Sequence, residues 1–404
     1  MRHDSDILIA GGGLNGPALA LALGAGGFSV TLVDPLPMSV RQEASFDGRS
    51  YALAAGSVRM LRALGIWAAV VDQAQPIRHI TISDGRAGEG AGPHRLDFDS
   101  AEIEDGPMGQ MVEDRHLRFA LLDALQAAPG VTALSGVGVA AQVPDAGGIA
   151  VTLSDGRILR AALLVGCDGR GSGTAERAGI GRHGRDYGQT AIVCAVMHEK
   201  PHDGIAHQFF MPSGPLAILP LTGDRSSIVW TETTARAAEI MALDDAGFLD
   251  ALRPAFGSFR GQIALTGPRY SYPLSLSIAD RMVADRVALA GDAAHGVHPI
   301  AGQGLNAGLR DVAALADVLG TARARGEDTG SSPVLERYAS WRRFDTATLA
   351  AGTNGFNLLF SNDNPVMRLG RGLGLAAVAA LPPLRRAFIR EAAGLTGDLP
   401  RLLH

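Results

Sequence analysis

Three glycines and one carboxylate near the start of the chain have the types and the spacing needed to bind a dinucleotide. The glycines form the pattern GxGxxG at Gly11, Gly13 and Gly16. Such glycines allow a tight turn, a close approach of the backbone to a pyrophosphate, and close packing of a helix on a strand. Asp34 follows about 20 residues later, where a carboxylate can accept hydrogen bonds from ribose hydroxyls. The spacing does not distinguish FAD from NAD.

These residues require a strand, a turn, a helix and a second strand in that order. Residues 6–10 are a short apolar run that the glycines end, and residues 14–23 are small and apolar at a density typical of a helix. Leu14 and Asn15 would then lie at the helix N-terminus, where N–H groups and the helix dipole attract phosphate. Residues 28–33 predict the second strand, which ends at Asp34. The complete unit favours a dinucleotide site over an ordinary glycine-rich turn.

A second group of candidates surrounds position 300. Residues 286–290 predict a buried strand that stops at Gly291 and Asp292. A glycine-rich segment follows and enters a helix, with Gly302, Gln303 and Gly304 at its start. A carboxylate at a strand end can hold the hydroxyls of a polyol, and glycines at a helix start can present N–H groups to an electron-rich ring edge. A strand-turn-helix without a ligand would leave these residues without a purpose.

These motifs resemble those of the class A FAD-dependent aromatic hydroxylases, which are flavoprotein monooxygenases. In that family the aspartate binds the ribityl chain of FAD, so the resemblance assigns this role to Asp292. The following loop packs beside the isoalloxazine, which implicates Pro299, Gly302, Gln303, Gly304, Leu305 and Asn306. The resemblance implies FAD as the cofactor, NAD(P)H as the electron donor and O2 as the co-substrate. Pro299 and His298 are the catalytic candidates, although a histidine near a turn is more often a structural hydrogen bonder.

Residues 164–172 resemble a third family signature, in which Asp168 contributes to FAD and nicotinamide binding. The family's arginine three positions after the serine is replaced by Ala175, which leaves Arg170 or Arg177 as a substitute. Asp168 could instead form a structural turn.

Two arginines lie in further segments that resemble flavin-contacting elements. Arg49 begins a segment that is expected to open a helix ending near residue 65, and Arg115 lies in the segment 113–117. A guanidinium in either place suits the FAD phosphates or the ring edge, and the alternative for each is a surface ion pair.

Within the class, the likeness to the ubiquinone-biosynthesis hydroxylases covers nearly the whole chain. The segments that carry it are 208–212, 214–221, 229–231, 298–306, 308–312 and 394–400. It implies that a flavin C4a-hydroperoxide transfers oxygen to an aromatic ring, which is expected to belong to a polyprenylated phenol of ubiquinone biosynthesis. A hydroxylase of a small soluble aromatic acid and a non-catalytic flavin-binding subunit of a biosynthetic complex are the alternatives.

The expected fold is α/β, with a discontinuous Rossmann-like FAD-binding domain and an interleaved β-sheet substrate domain. We assign residues 1–75, 108–182 and 284–330 to the first and residues 76–107 and 183–283 to the second. Residues 331–404 are expected to form a C-terminal helical region.

Composition excludes several other classes of function. A net charge of −5 over 404 residues gives no basic footprint for nucleic acid. The two cysteines, Cys167 and Cys194, exclude a disulfide framework and a CxxC zinc site, and no metal is expected. With no pattern of a signal peptide and no long apolar stretch, the expected location is cytoplasmic, with a peripheral position at the inner membrane surface as the further option. Residues 366–404 have a local charge of +4, from six arginines and two acidic residues, which suits an anionic membrane, a partner subunit or packing on the protein itself.

Overall fold

The computed structural model describes residues 3–45, 48–86, 90–103, 106–296, 302–343, 345 and 381–404. Helices and strands are mixed along the chain, which confirms the expected α/β class. The strands are β1 (Ile7–Ala10), β2 (Val30–Asp34), β3 (Ser50–Ala54), β4 (Gln75–Ile77), β5 (His79–Arg86), β6 (Gly90–Asp99), β7 (Gly109–Glu113), β8 (Val131–Ser135), β9 (Val139–Asp145), β10 (Gly148–Leu153), β11 (Ile158–Ala161), β12 (Leu163–Gly166), β13 (Arg182–His198), β14 (Ile205–Met211), β15 (Gly214–Leu221), β16 (Arg225–Thr233), β17 (Ile263–Leu265), β18 (Tyr270–Ala279), β19 (Val283–Ala284), β20 (Val287–Leu289) and β21 (His295–Gly296). The helices are α1 (Asn15–Ala25), α2 (Met38–Arg41), α3 (Ala55–Ala63), α4 (Trp67–Val70), α5 (Asp114–Ala127), α6 (Gly173–Arg177), α7 (Thr234–Met241), α8 (Asp245–Phe256), α9 (Gln303–Ala324), α10 (332–343) and α11 (Pro382–Ala392).

A six-stranded sheet brings the two glycine motifs together. Its order is β19-β20-β12-β1-β2-β8, and the pairs from β20 to β8 are parallel. Strands β1, β2, β12 and β20 are buried throughout, so they form near-continuous apolar runs, as a parallel sheet covered on both faces requires. The carboxyl ends of β1, β2 and β20 therefore lie along one edge, where open α/β sheets bind ligands.

A second, larger sheet has the order β21-β18-β13-β16-β15-β14-β5-β6, with β17 paired to β13. Helices α7 and α8 cover one face, where Ile192 and Cys194 share a buried apolar cluster with Phe248 and Leu252. The other face meets the small sheet β3-β7-β4, because Ala195 packs in one cluster with Met111. Strands β9, β10 and β11 form a further three-stranded sheet. The residue limits of the two domains stay a prediction.

The segment that begins at Arg49 differs from its expected structure. It forms strand β3 before helix α3 begins at Ala55, whereas the sequence pattern indicated that it would open the helix directly. Antiparallel pairing with β7, from Ser50 opposite Glu113 to Ala54 opposite Gly109, satisfies the backbone groups of this segment. Tertiary pairing of this kind overrides local helix preference.

Within the described ranges, no helix combines the length and the apolar character needed to span a bilayer.

Candidate active site

The glycines of the first motif divide into two that serve packing and one that faces open space. A Cβ on Gly11, whose φ is 110°, would overlap the Cys167 carbonyl, and a Cβ on Gly16 would overlap the Gly11 carbonyl. Gly13 has no heavy atom within 4 Å of its Cβ position. No side chain caps the N-terminus of α1, which begins at Asn15 after the N-cap residue Leu14. This space in front of uncapped N–H groups fits a pyrophosphate.

Asp34 lies at the carboxyl end of β2, as a ribose-binding carboxylate should. It is 3% exposed and accepts hydrogen bonds from the Gly12 and Leu36 amides. Its Oδ2 also lies 2.6 Å from Nη2 of Arg41. The carboxylate is thus held in place beside the glycine turn, and its contact with a ribose stays a prediction.

The Gly291–Asp292 turn lies directly against the first motif. Gly291 has a φ of 65° and begins a 3-10 turn that follows β20. A Cβ on Gly291 or on Gly308 would overlap the side chain of Asn15. The buried Oδ1 atom of Asn15 has no hydrogen-bond partner in the described part of the chain. An unsatisfied polar atom between the two motifs fits a site that receives a polar ligand.

Asp292 carries the carboxylate that is expected to hold the ribityl chain. Its side chain is 40% exposed, and Oδ2 lies 3.2 Å from Nε of Arg170. The structure therefore brings residues of all three motifs together, because Asn15 lies against Gly291 and Arg170 pairs with Asp292.

The glycine-rich segment after position 301 is fixed mainly by Asn306. Gly302 has a φ of 64° and is the N-cap of α9, and Gly304 has no heavy atom within 4 Å of its Cβ position. The Asn306 amide group makes four hydrogen bonds, to the Ala54 amide, the Ser57 hydroxyl and the Ala52 and Gly302 carbonyls. These bonds hold the start of α9 against β3 and satisfy the whole amide group. Gln303 and Leu305 are half-buried at the same helix start.

Asp168 makes the contacts of a structural turn. Its carboxylate accepts hydrogen bonds from the Ser172 hydroxyl and from the amide and hydroxyl of Thr174, at the start of α6. Ala175, at the family's arginine position, is fully buried. Arg177 donates to Gln142 instead. Of the two possible substitutes, Arg170 is the one that contacts Asp292.

Arg49 and Arg115 each form an ion pair with an acidic residue of the segment 113–117. Arg49 lies 3.3 Å from Asp114 and Arg115 lies 2.7 Å from Glu113. Glu113 also pairs at 2.9 Å with Arg225 of β16, so it links the small sheet to the large one. Both arginines remain partly exposed, and their contact with FAD stays a prediction.

Sequence reasoning missed a buried ionic network behind the Gly291–Asp292 turn. Asp311 of α9 is fully buried and lies 2.6 Å from Nε2 of His295 and 2.7 Å from Nε of Arg342. Its Oδ2 also accepts the Gly291 amide at 2.9 Å. Burial opposes protonation of His295, but the Asp311 carboxylate outweighs it and raises the pKa of the imidazole. Burial likewise opposes ionisation of Asp311, yet His295 and Arg342 hold the pKa of this carboxyl below its usual value. A charged residue inside the apolar pattern of α9 was the available signal.

His298 and Pro299 lie outside the described residues, as do residues 297–301 generally. Their catalytic assignment stays a prediction. Among the residues that the structure describes, no group of three histidine, cysteine or acidic side chains is placed to hold a metal.

Comparison with known proteins identifies the family. Residues 4–350 match the family described as FAD binding domain. The chain is 44% identical over 402 residues to the ubiquinone hydroxylase UbiL of Rhodospirillum rubrum, covering 99% of this chain and 92% of that protein. The chain belongs to the ubiquinone-biosynthesis hydroxylase family. A second member, the 3-demethoxyubiquinol 3-hydroxylase of Escherichia coli, is 36% identical over 396 residues, which cover 98% of this chain and all of that protein.

Solved structures confirm the fold of this hydroxylase. The p-nitrophenol 4-monooxygenase of Pseudomonas putida superposes with a TM-score of 0.81 at 19% identity, over 98% of this chain and all of that one. At this identity the likeness concerns the fold alone.

As a member of this family, the protein is an FAD-dependent monooxygenase that hydroxylates an aromatic ring with NAD(P)H and O2. Bound FAD supplies the redox and oxygen chemistry. The residues around Gly13, Asp34 and Asp292 fit the pyrophosphate, ribose and ribityl groups by their positions on one sheet edge. The protein's own contribution is to bind and orient these groups and to shield the reacting ring from water.

Proposed function

We propose that the substrate is a polyprenylated phenol intermediate of ubiquinone biosynthesis. The names of the two relatives above support this proposal, since one is called a ubiquinone hydroxylase and the other a 3-demethoxyubiquinol 3-hydroxylase. The alternative is a small aromatic acid, whose carboxylate requires a cationic partner in the pocket.

The observation that carries the proposal is an apolar cluster on the face of the large sheet that points away from α7 and α8. Ala191, Val193, Val229 and Leu274 form an apolar cluster on this face, with Tyr187 beside it. Arg225 lies on the same face, because side chains two residues apart along β16 point to one side of the sheet. Its guanidinium is already paired with Glu113. This face suits an apolar phenol better than a free carboxylate.

Steady-state kinetics with matched substrates test the proposal. A short-chain prenylphenol and a hydroxybenzoic acid, which share a phenol ring, are compared. The assays measure NAD(P)H oxidation, O2 consumption and hydroxylated product. We expect hydroxylated product from the prenylphenol alone. We expect Val193→Ser to raise the KM for the prenylphenol about tenfold. Met197→Ser is the control, because Met197 is 52% exposed at the end of the same strand. Hydroxylation of the acid with the higher kcat/KM would refute the substrate assignment.

We also propose a peripheral position at an anionic membrane surface, where a prenylated substrate partitions. Leu381, the residue before α11, and Leu384 and Phe388 within it are 53%, 40% and 41% exposed on one side of the helix. Arg386 and Arg390 are exposed on another flank of this helix and add positive charge nearby. Flotation of the purified protein with phosphatidylglycerol vesicles tests this idea. Protein that stays at the bottom of the gradient, or that elutes with a partner subunit bound through α11, would refute membrane attachment by this helix.

A further inference from the structure

The Gly291–Asp292 turn is bound on two sides by residues that lie outside it, Arg182 and Asp311. Arg182, at the start of β13, donates to the carbonyls of Asp292 and Ala293 and to Ser277. On the opposite side, Asp311 accepts the Gly291 amide and is in turn bound by Arg342. The backbone of the turn is therefore held at the carbonyls of Asp292 and Ala293 and at the amide of Gly291.

We propose that Arg342 is a positioning residue for FAD, which acts through Asp311 to fix the turn that presents Asp292. Arg342 does not itself touch this turn. Its Nε donates to Oδ1 of Asp311, which leaves Oδ2 to accept from His295 and from the Gly291 amide. Each carboxylate oxygen thus has its own partners, and the carboxylate plane cannot rotate without breaking one set of hydrogen bonds.

Helix α10, which carries Arg342, is anchored beside the same turn by two further contacts. The hydroxyl of the fully buried Tyr338 donates to the Leu289 carbonyl at 2.8 Å, at the end of β20. Arg342 also pairs with Asp345, which in turn lies 3.1 Å from Arg310 of α9. Because α10 holds both β20 and α9, it restrains the two elements between which the turn runs.

The consequence for the cofactor follows from the exposure of Asp292. Its side chain is 40% exposed while its backbone is held, so the backbone position decides where the carboxylate can reach. A carboxylate that binds two hydroxyls of a polyol must be placed to within a few tenths of an ångström. Loss of the Arg342 contact should therefore weaken FAD binding without removing any atom that touches FAD.

The test measures the Kd of FAD for the apoprotein by flavin fluorescence, together with the melting temperature. We expect Arg342→Met to weaken FAD about tenfold or more, which is the effect of losing one charge-assisted hydrogen bond. Arg342→Lys should recover most of the affinity, because it restores the charge. The visible circular dichroism of bound flavin should change in Arg342→Met and return toward the wild-type spectrum in Arg342→Lys.

Arg286→Met is the matched control. Arg286 is also buried and pairs with Asp328 at 2.7 Å, but it precedes β20 at the opposite edge of the same sheet. This variant should lower the melting temperature and leave the Kd of FAD unchanged. If Arg342→Met behaves in the same way, Arg342 has only a structural role and the proposal is wrong.

Two further variants keep the test decisive. Should Arg342→Met fail to fold, the neutral pair Asp311→Asn with Arg342→Gln avoids an unpaired buried charge. The double variant still replaces one carboxylate oxygen of Asp311 by an N–H donor, so the same weakening of FAD binding is expected. An unchanged affinity for FAD would overturn the proposal. Asp292→Ala tests the assignment of Asp292 to the ribityl chain, on which the proposal for Arg342 rests. If Asp292→Ala leaves FAD affinity intact, the ribityl assignment fails; if only Asp292→Ala weakens FAD, the role of Arg342 fails.

Discussion

Asn306 provides a direct test of whether a family residue contacts the cofactor or supports the residues that do. Its side chain is buried and makes four hydrogen bonds, and its donors and acceptors are all used by the protein. Replacement by alanine removes all four, and each contributes about 1 kcal/mol net to stability. We therefore expect Asn306→Ala to lower the free energy of unfolding of the apoprotein by about 4 kcal/mol.

Urea unfolding of apoprotein, followed by tryptophan fluorescence, measures this change in the absence of FAD. Ser57→Ala is the internal standard, because it removes one of the four bonds and should cost about 1 kcal/mol. The double variant should cost no more than Asn306→Ala alone, since the Ser57 bond is already lost. A loss below about 1 kcal/mol for Asn306→Ala, combined with much weaker FAD binding, would show direct cofactor contact and refute this reasoning.

Three other predictions concern close packing and burial in the protein. Gly13→Ala should weaken FAD binding and leave the stability of the apoprotein nearly unchanged, whereas Gly16→Ala should destabilise the apoprotein. The reason is that only a Cβ at Gly16 would overlap a backbone atom. Titration calorimetry measures FAD binding, and urea unfolding measures stability. The stabilising contribution of His295 should be fully present below its ordinary pKa of 6.5 and decline as pH rises through its raised pKa, so the stability difference between wild type and His295→Gln should shrink in alkaline buffer. The Cys194 thiol should resist alkylation until the protein is denatured, because it is fully buried and burial raises its pKa to about 12; rapid labelling of Cys194 in the native protein would contradict this.

Local patterns predicted those parts of the site in which one segment dictates its own structure. The strand, the glycine turn and helix α1 follow from adjacent residues, and so does the turn after β20. The position of Asn15 against Gly308 could not be read from the sequence, because it depends on how α1 and α9 cross.

Interactions between residues that are distant in sequence were missed. The sequence did not indicate that the Asn306 amide group binds β3 and the start of α9, and its assignment to the cofactor stays a prediction. Asp311 and Arg342 lie 31 positions apart, and nothing in either local segment indicates their ion pair. Such pairs are fixed by tertiary packing, and a pattern of apolar and polar residues does not encode them.

The order of strands in the first sheet has a consequence for the synthesis of the protein. Strand β1 pairs with β12, and β12 pairs with β20, so the edge that receives FAD is completed by strands from both ends of a long stretch of chain. A ribosome must therefore release residues well beyond β20 before the turn at Asp292 can form. Contacts of such wide sequence separation form late in folding. We expect the nascent chain to remain free of flavin until synthesis is nearly complete. Flavin absorbance would therefore report that the last helices have packed against the rest of the protein.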